Sequence, residues 1–259
     1  MFFNFNKYSL NLGEVTNYIN QLSFEMKTDT SYLEKFIKKF TTSKAYRTSL
    51  LPLKLQALLN IKESIAGKYS SYQELLAGMG MSAKIFGEGL ELGKLELSDL
   101  SKECFEILKL NFPGENVQKR DMFNFPLTAS YKSDFAFLDF NNCTIKRFTT
   151  EYKDVIKNTF QQTNKFVLIN DCSVFYLKYG AGSYKNYGNL MGLELDGTKQ
   201  DFYKKSKVFY KTLYPEWSLV EVQAFKDTSF LLFKKGDWDS LKTTVLTNED
   251  VKEFKVELK

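Results

Sequence analysis

The sequence predicts an α/β fold: a mostly parallel sheet with helices on both faces, a C-terminal antiparallel hairpin and a helical N-terminal segment. Two observations carry this. From residue 72 onward, short apolar runs alternate with helical stretches. Near the C-terminal end, two longer apolar runs flank Lys226-Asp227, the pattern of a hairpin. A hydrophobic fraction of 43% over 259 residues supplies a core of the size such a sheet needs.

Each element follows in turn. Residues 14–66 read as helical, with Leu33, Phe36, Ile37 and Phe40 at helical spacing and Lys35, Lys38 and Lys39 between them. Pro52 suits a first helical turn, and Gly67 suits a helix end. A short strand over 74–77 enters a glycine turn, and a helix over 82–90 follows. Strands are expected over 94–98, 117–120, 133–139 and 166–169, and helices over 101–111, 151–162 and 200–213. The run Ser133-Asp134-Phe135-Ala136-Phe137-Leu138 is apolar enough for burial on both faces. Residues 217–225 and 229–233 form the hairpin. This divides the chain into a basic helical segment, 1–70, and an α/β domain, 71–259.

Composition removes whole classes of chemistry. The chain has no histidine. That excludes a Ser-His-Asp triad, a Cys-His nucleophile pair and a mixed Cys/His zinc site. Cys104, Cys143 and Cys172 are too few for an all-cysteine zinc site, so no metal is expected. Their separation reads as reduced thiols, which predicts a cytoplasmic location. The first residues hold no basic stretch followed by an apolar run, and no segment has the length to span a bilayer, so neither a signal peptide nor a membrane is expected. Residues 1–70 carry ten Lys/Arg and five Asp/Glu, so the net charge of +5 resides entirely there. A positive field of this kind attracts a polyanion such as nucleic acid; it is equally the mark of a solvated lysine-rich helix face.

The chemistry-bearing signal is Glu74-Leu75-Leu76-Ala77-Gly78-Met79-Gly80-Met81-Ser82, a strand that turns through two glycines into a helix. Gly78 and Gly80 let the backbone approach a ligand, and the helix start offers free N–H groups. Asp99-Leu100 follows the second strand, Asp121-Met122 the third, and Asp139-Phe140-Asn141-Asn142 the fourth. A carboxylate at the tip of the second strand is where such a sheet grips ribose hydroxyls.

This ordered set resembles the class I S-adenosylmethionine-dependent methyltransferases over about residues 72–235, with their Rossmann-like sheet and closing hairpin. Glu74 to Met81 resembles their first motif, in the Asp-Leu-Phe-Ala-Gly-x-Gly form found among nucleic-acid methyltransferases. The resemblance implies S-adenosylmethionine as cofactor, held by Glu74, Ala77, Gly78, Gly80, Asp99, Leu100, Asp121 and Met122. It also implies that Asp139, Phe140, Asn141 and Asn142 stand beside the transferable methyl group as catalytic residues. The sulfonium is already activated, so a histidine-free protein suffices to align an acceptor.

The preferred acceptor is nucleic acid, at a base amino group. Methyltransferases of that kind carry (Asp/Asn/Ser)-Pro-Pro-aromatic in the fourth motif, and this chain lacks both prolines. Carbon-5 cytosine methylation needs a Pro-Cys nucleophile that is absent. Ribose 2′-O methylation resembles a Lys-Asp-Lys-Glu pattern. Lys54 and Asp139 suit its first two positions, but Asn170 stands where the second lysine belongs, and the glutamate position falls near Thr228-Ser229 with Glu221 one strand early. Beyond the fifth strand, Lys178, Tyr179, Tyr184, Lys185 and Tyr187 sit in a glycine-rich stretch suited to stacking on bases and touching phosphates, or to a plain surface loop. The alternatives are a methyltransferase of a small molecule or protein, and a non-catalytic binding module on the same fold.

Overall fold

A computed structural model describes residues 50–121, 132–139, 150–171, 199–225 and 228–247. The elements in chain order are α1 (Leu50–Ile65), β1 (Tyr72–Leu75), α2 (Met81–Gly87), β2 (Leu95–Asp99), α3 (Lys102–Asn111), β3 (Asn116–Lys119) and β4 (Ser133–Leu138). They continue with α4 (Thr150–Gln162), β5 (Thr163–Asp171), α5 (Lys199–Leu213), β6 (Trp217–Phe225), β7 (Thr228–Lys235) and β8 (Lys242–Leu246).

The eight strands form one sheet in the order β3-β2-β1-β4-β5-β7-β6-β8. Strands β1 to β5 are parallel to their neighbours. β7 runs antiparallel between β5 and β6, and β8 returns parallel to β6. The mostly parallel sheet and the antiparallel hairpin are therefore as the sequence predicts. The edge strand β8 is not among the expected elements. Its residues Lys242-Thr243-Thr244-Val245-Leu246 bury only Leu246, so no apolar alternation marks it.

Alternation of side chains builds the two cores. In β4, Phe135 and Phe137 face one layer and Leu138 the other; in β5, Phe166 and Leu168 oppose Val167 and Ile169. One layer packs under α1, whose Leu53, Ala57, Leu58, Ile61 and Ile65 form a single buried stripe. Helix α1 is thus part of the core of the sheet. The opposite layer packs under α4 and α5, around Phe160, Tyr203 and Tyr210.

Element ends have local causes. Leu76 takes a left-handed φ of 63°, which stops β1 at Leu75 instead of carrying it to residue 77. Ser101 caps α3, its hydroxyl oxygen accepting from the Cys104 N–H at 3.2 Å.

Phe135 is fully buried, and its ring lies 5.2, 5.1 and 4.9 Å from those of Tyr69, Tyr72 and Phe86. Phe135→Ala should cost about 3–5 kcal/mol. Urea unfolding should show a lower midpoint at an unchanged slope; an unchanged midpoint would refute this packing.

Candidate functional site

The chain leaves β1 to build outward through β2 and β3, then returns to β4 on the other side of β1. In open α/β sheets the carboxyl ends of the strands at such a reversal are where ligands bind. The glycine turn after β1 lies at this point.

Its two glycines do different work. Gly78 has φ 56°, and a Cβ there would meet nothing within 4 Å. It leaves open space for a ligand to approach the backbone. Gly80 has φ 86°, and a Cβ there would collide with the Phe112 ring and meet Leu108 at 3.0 Å. It lets the turn seat against α3. Asn111 adds a brace, its side-chain amide donating to the Met79 carbonyl at 3.1 Å.

Asp99, at the tip of β2, holds this loop. One carboxylate oxygen accepts from the Gly78 N–H at 2.9 Å, the other from the Ser101 N–H at 2.8 Å. Burial raises its carboxyl above the usual range, against the pull of the Ser101, Gly78 and Leu100 N–H groups. Leu100 beside it is exposed, and Asp121 is half-buried just past β3. Ala77 is buried, with its N–H donating to the Ser98 carbonyl at 3.0 Å.

Glu74 does not face open space. Its carboxylate accepts from the Tyr72 hydroxyl at 2.7 Å and from the Ser82 hydroxyl. It ties β1 to the start of α2 from inside. Neither Tyr72 nor Ser82 is among the residues singled out from sequence. Tyr72 was legible in principle, two positions before Glu74 on the same strand face.

A second cluster lies on the α1 side of the sheet, one step beyond Phe137 and Leu168. The Lys54 ammonium sits 2.5 Å from one oxygen of Asp139. The Asn170 amide nitrogen sits 2.5 Å from the other. Asp139 accepts only, so the Asn170 amide must turn its nitrogen there. Its carbonyl oxygen is buried and has no hydrogen-bond partner among the described residues. The cluster therefore presents an ammonium donor and a carbonyl acceptor around one carboxylate. Ser229 and Glu221, the other positions of interest on the hairpin, are both buried. Glu221 is engaged by Gln223 at 2.6 Å and Lys242 at 3.6 Å, on a chain of hydrogen bonds that reaches Asn60 of α1.

Met122, Phe140, Asn141, Asn142, Lys178, Tyr179, Tyr184, Lys185 and Tyr187 lie outside the described residues, as do Cys143, Cys172 and the basic residues before Leu50. Among the described residues no group of three or more acidic or cysteine side chains is placed to hold a metal ion, and no helix is long and apolar enough to cross a membrane.

Glu74 couples stability to pH near neutrality. Burial pushes its carboxyl up to about 8, with Ser82 and Tyr72 pulling down and Asp139 adding to the rise. The folded chain keeps a proton that the unfolded chain releases near the ordinary value of 4.5. Stability therefore falls as pH rises between about 5 and about 8. Glu74→Gln should flatten the pH dependence of the thermal midpoint over that window. Equal declines in variant and parent would show that Glu74 does not carry it.

By sequence, no family model and no curated protein matches the chain. Solved structures do match it by shape. The plantazolicin methyltransferase BpumL in complex with SAH aligns at a TM-score of 0.52 and 11% identity, covering 86% of this chain and all of its own. The N-methyltransferase NodS from Bradyrhizobium japonicum WM9 aligns at 0.51 and 10%, covering 72% of this chain and 98% of its own. With the reversal between β1 and β4 and the antiparallel β7, these likenesses establish that the chain has the fold of the class I S-adenosylmethionine-dependent methyltransferases.

Proposed function

We propose that the protein is an S-adenosylmethionine-dependent methyltransferase acting on nucleic acid. The observation that carries the cofactor is the meeting of Gly78 and Asp99 at the strand reversal. Gly78 leaves room that a side chain would fill, and Asp99 supplies an anionic acceptor pair beside it. In this reading Asp99 accepts from the ribose hydroxyls, Leu100 covers the sugar and adenine, and Asp121 with Met122 receives the adenine amino group. Glu74 and Gly80 shape the loop from beneath, and Ala77 continues its backbone. The cofactor when bound supplies a methyl group on an activated sulfonium, so the protein's own work is alignment and proton handling. SAH in the BpumL structure agrees with this cofactor, and the acceptors named for these neighbours remain theirs at about one-tenth identity.

The acceptor has two readings. A base amino group would be held by Asp139 and Asn141, with Phe140 stacked on the ring. A ribose hydroxyl is favoured by one specific observation, the prior engagement of both Asp139 oxygens by Lys54 and Asn170. A hydroxyl oxygen then accepts from the Lys54 ammonium while its hydrogen points to the Asn170 carbonyl. The 1–70 segment and the residues Lys178, Tyr179, Tyr184, Lys185 and Tyr187 would add phosphate and base contacts in either case. A soluble cytoplasmic setting suits both.

Calorimetry tests the cofactor. Asp99→Ala should weaken S-adenosylmethionine by about tenfold or more, the worth of a charged hydrogen-bond pair, and Asp139→Ala by less. The reverse order would overturn the placement, and no binding at millimolar cofactor would overturn the activity. Tritiated methyl transfer onto DNA, RNA and cell extract in parallel tests the acceptor. Label in RNA that Lys54→Ala abolishes while leaving cofactor affinity intact supports the hydroxyl reading. Label only in small molecules or protein rejects nucleic acid.

A further inference from the structure

Two polar contacts pin α1 to the sheet, at different heights and on different sides of the helix. The first is the Lys54–Asp139 pair over the end of β4. The second lies over β6, where the Asn60 amide nitrogen donates to the Gln223 side-chain carbonyl at 3.0 Å. In an ideal helix Asn60 stands about 9 Å along the axis from Lys54 and about 120° around it. The rest of the contact face is the aliphatic stripe that includes Leu53, Ala57, Leu58 and Ile61.

Gln223 is fully buried, and strand register places it beside Phe230 of β7, with Glu221 beside Leu232. An apolar residue at 223 would pack against these neighbours with no polar group to satisfy. The chain instead carries a directed run of hydrogen bonds. Glu221, 4% exposed, accepts from the Gln223 amide nitrogen at 2.6 Å and faces the Lys242 ammonium of the edge strand β8 at 3.6 Å. A carboxylate only accepts, so Gln223 must turn its carbonyl toward α1. That carbonyl takes the Asn60 nitrogen, and the Asn60 oxygen accepts from the Gln56 amide at 2.8 Å. One orientation of each amide satisfies the whole run.

Burial of an aliphatic stripe is non-directional and tolerates a helix that rolls or slides. A roll of about 20° moves the helix surface by about 2 Å, at a radius of about 5–6 Å, which is enough to break a hydrogen bond. We propose that the Asn60–Gln223 contact sets the roll of α1 and so keeps Lys54 on Asp139. Asn60 and Gln223 are positioning residues for that ammonium, and Glu221 with Lys242 fixes Gln223 from behind. The consequence for methyl transfer rests on the hydroxyl reading of the acceptor; the hold on Lys54 does not.

The full chain is treated briefly with acetic anhydride, and acetylation at each lysine is followed by mass spectrometry. Lys54, whose side chain is 15% exposed, should react slowly in the parent. Asn60→Leu keeps the side-chain size and favours the helix, and it should speed Lys54 about fivefold, the worth of one net hydrogen bond. Gln223→Leu should do the same from the sheet side. Asn60→Gln restores an amide donor and should slow Lys54 again. Lysines on other elements, Lys165 among them, should keep their rates. Unchanged Lys54 labelling in Asn60→Leu with circular dichroism intact, equal rates in Asn60→Leu and Asn60→Gln, or a rise shared by all lysines would overturn the proposal. In the tritium assay kcat should fall in Asn60→Leu with the KM for S-adenosylmethionine unchanged. Faster Lys54 labelling in the variants, with no methyl transfer even in the parent, would count against the enzyme reading alone.

Discussion

Asp139 ties α1, β4 and β5 together through one buried carboxylate. Its two oxygens are taken by residues from opposite sides of the chain, Lys54 from α1 and Asn170 from β5. A carboxylate this buried is tolerated only with such partners, because desolvating it alone would cost several kcal/mol. The pairing therefore requires α1 to lie over β4 and β5 to lie beside β4. Once those positions hold, Asn170 has one permitted orientation, and its carbonyl turns to the remaining space. The arrangement of polar groups at the strand tips is a by-product of satisfying one charge.

The glycine loop obeys a similar logic on the other side of β1. Asp99 reaches across from β2 to the Gly78 N–H, and Glu74 reaches forward to Ser82. Asp99 is spent on backbone N–H groups of the loop, Glu74 on side-chain hydroxyls beneath it. Burial raises both, Glu74 against two hydroxyl donors and Asp99 against backbone N–H groups.

Much of this was legible in the sequence, for local reasons. Strands β4 and β5 announce themselves by unbroken apolar runs, and Asp99 by its place after a strand that follows a glycine turn. The helix expected over 101–111 is found one residue shorter, with Ser101 as its cap. What was not legible depends on distance. Lys54 and Asp139 are 85 positions apart, and only the completed sheet brings them together. Glu74 reads as a ligand-facing carboxylate by motif, but the Tyr72 and Ser82 hydroxyls that enclose it depend on the exact path of the turn. Strand β8 escaped notice because an edge strand needs little apolar content when its neighbour supplies the burial.

Leu76 carries a further consequence. A bulky residue at φ 63° sits where its own backbone preference is unfavourable, so the loop it opens cannot be prearranged by local sequence. The turn exists because β1 is clamped between β2 and β4. The shape of this turn is then a gauge of sheet integrity. Lesions deep in the aromatic layer would loosen the clamp and show first as altered turn geometry, before the chain as a whole gives way.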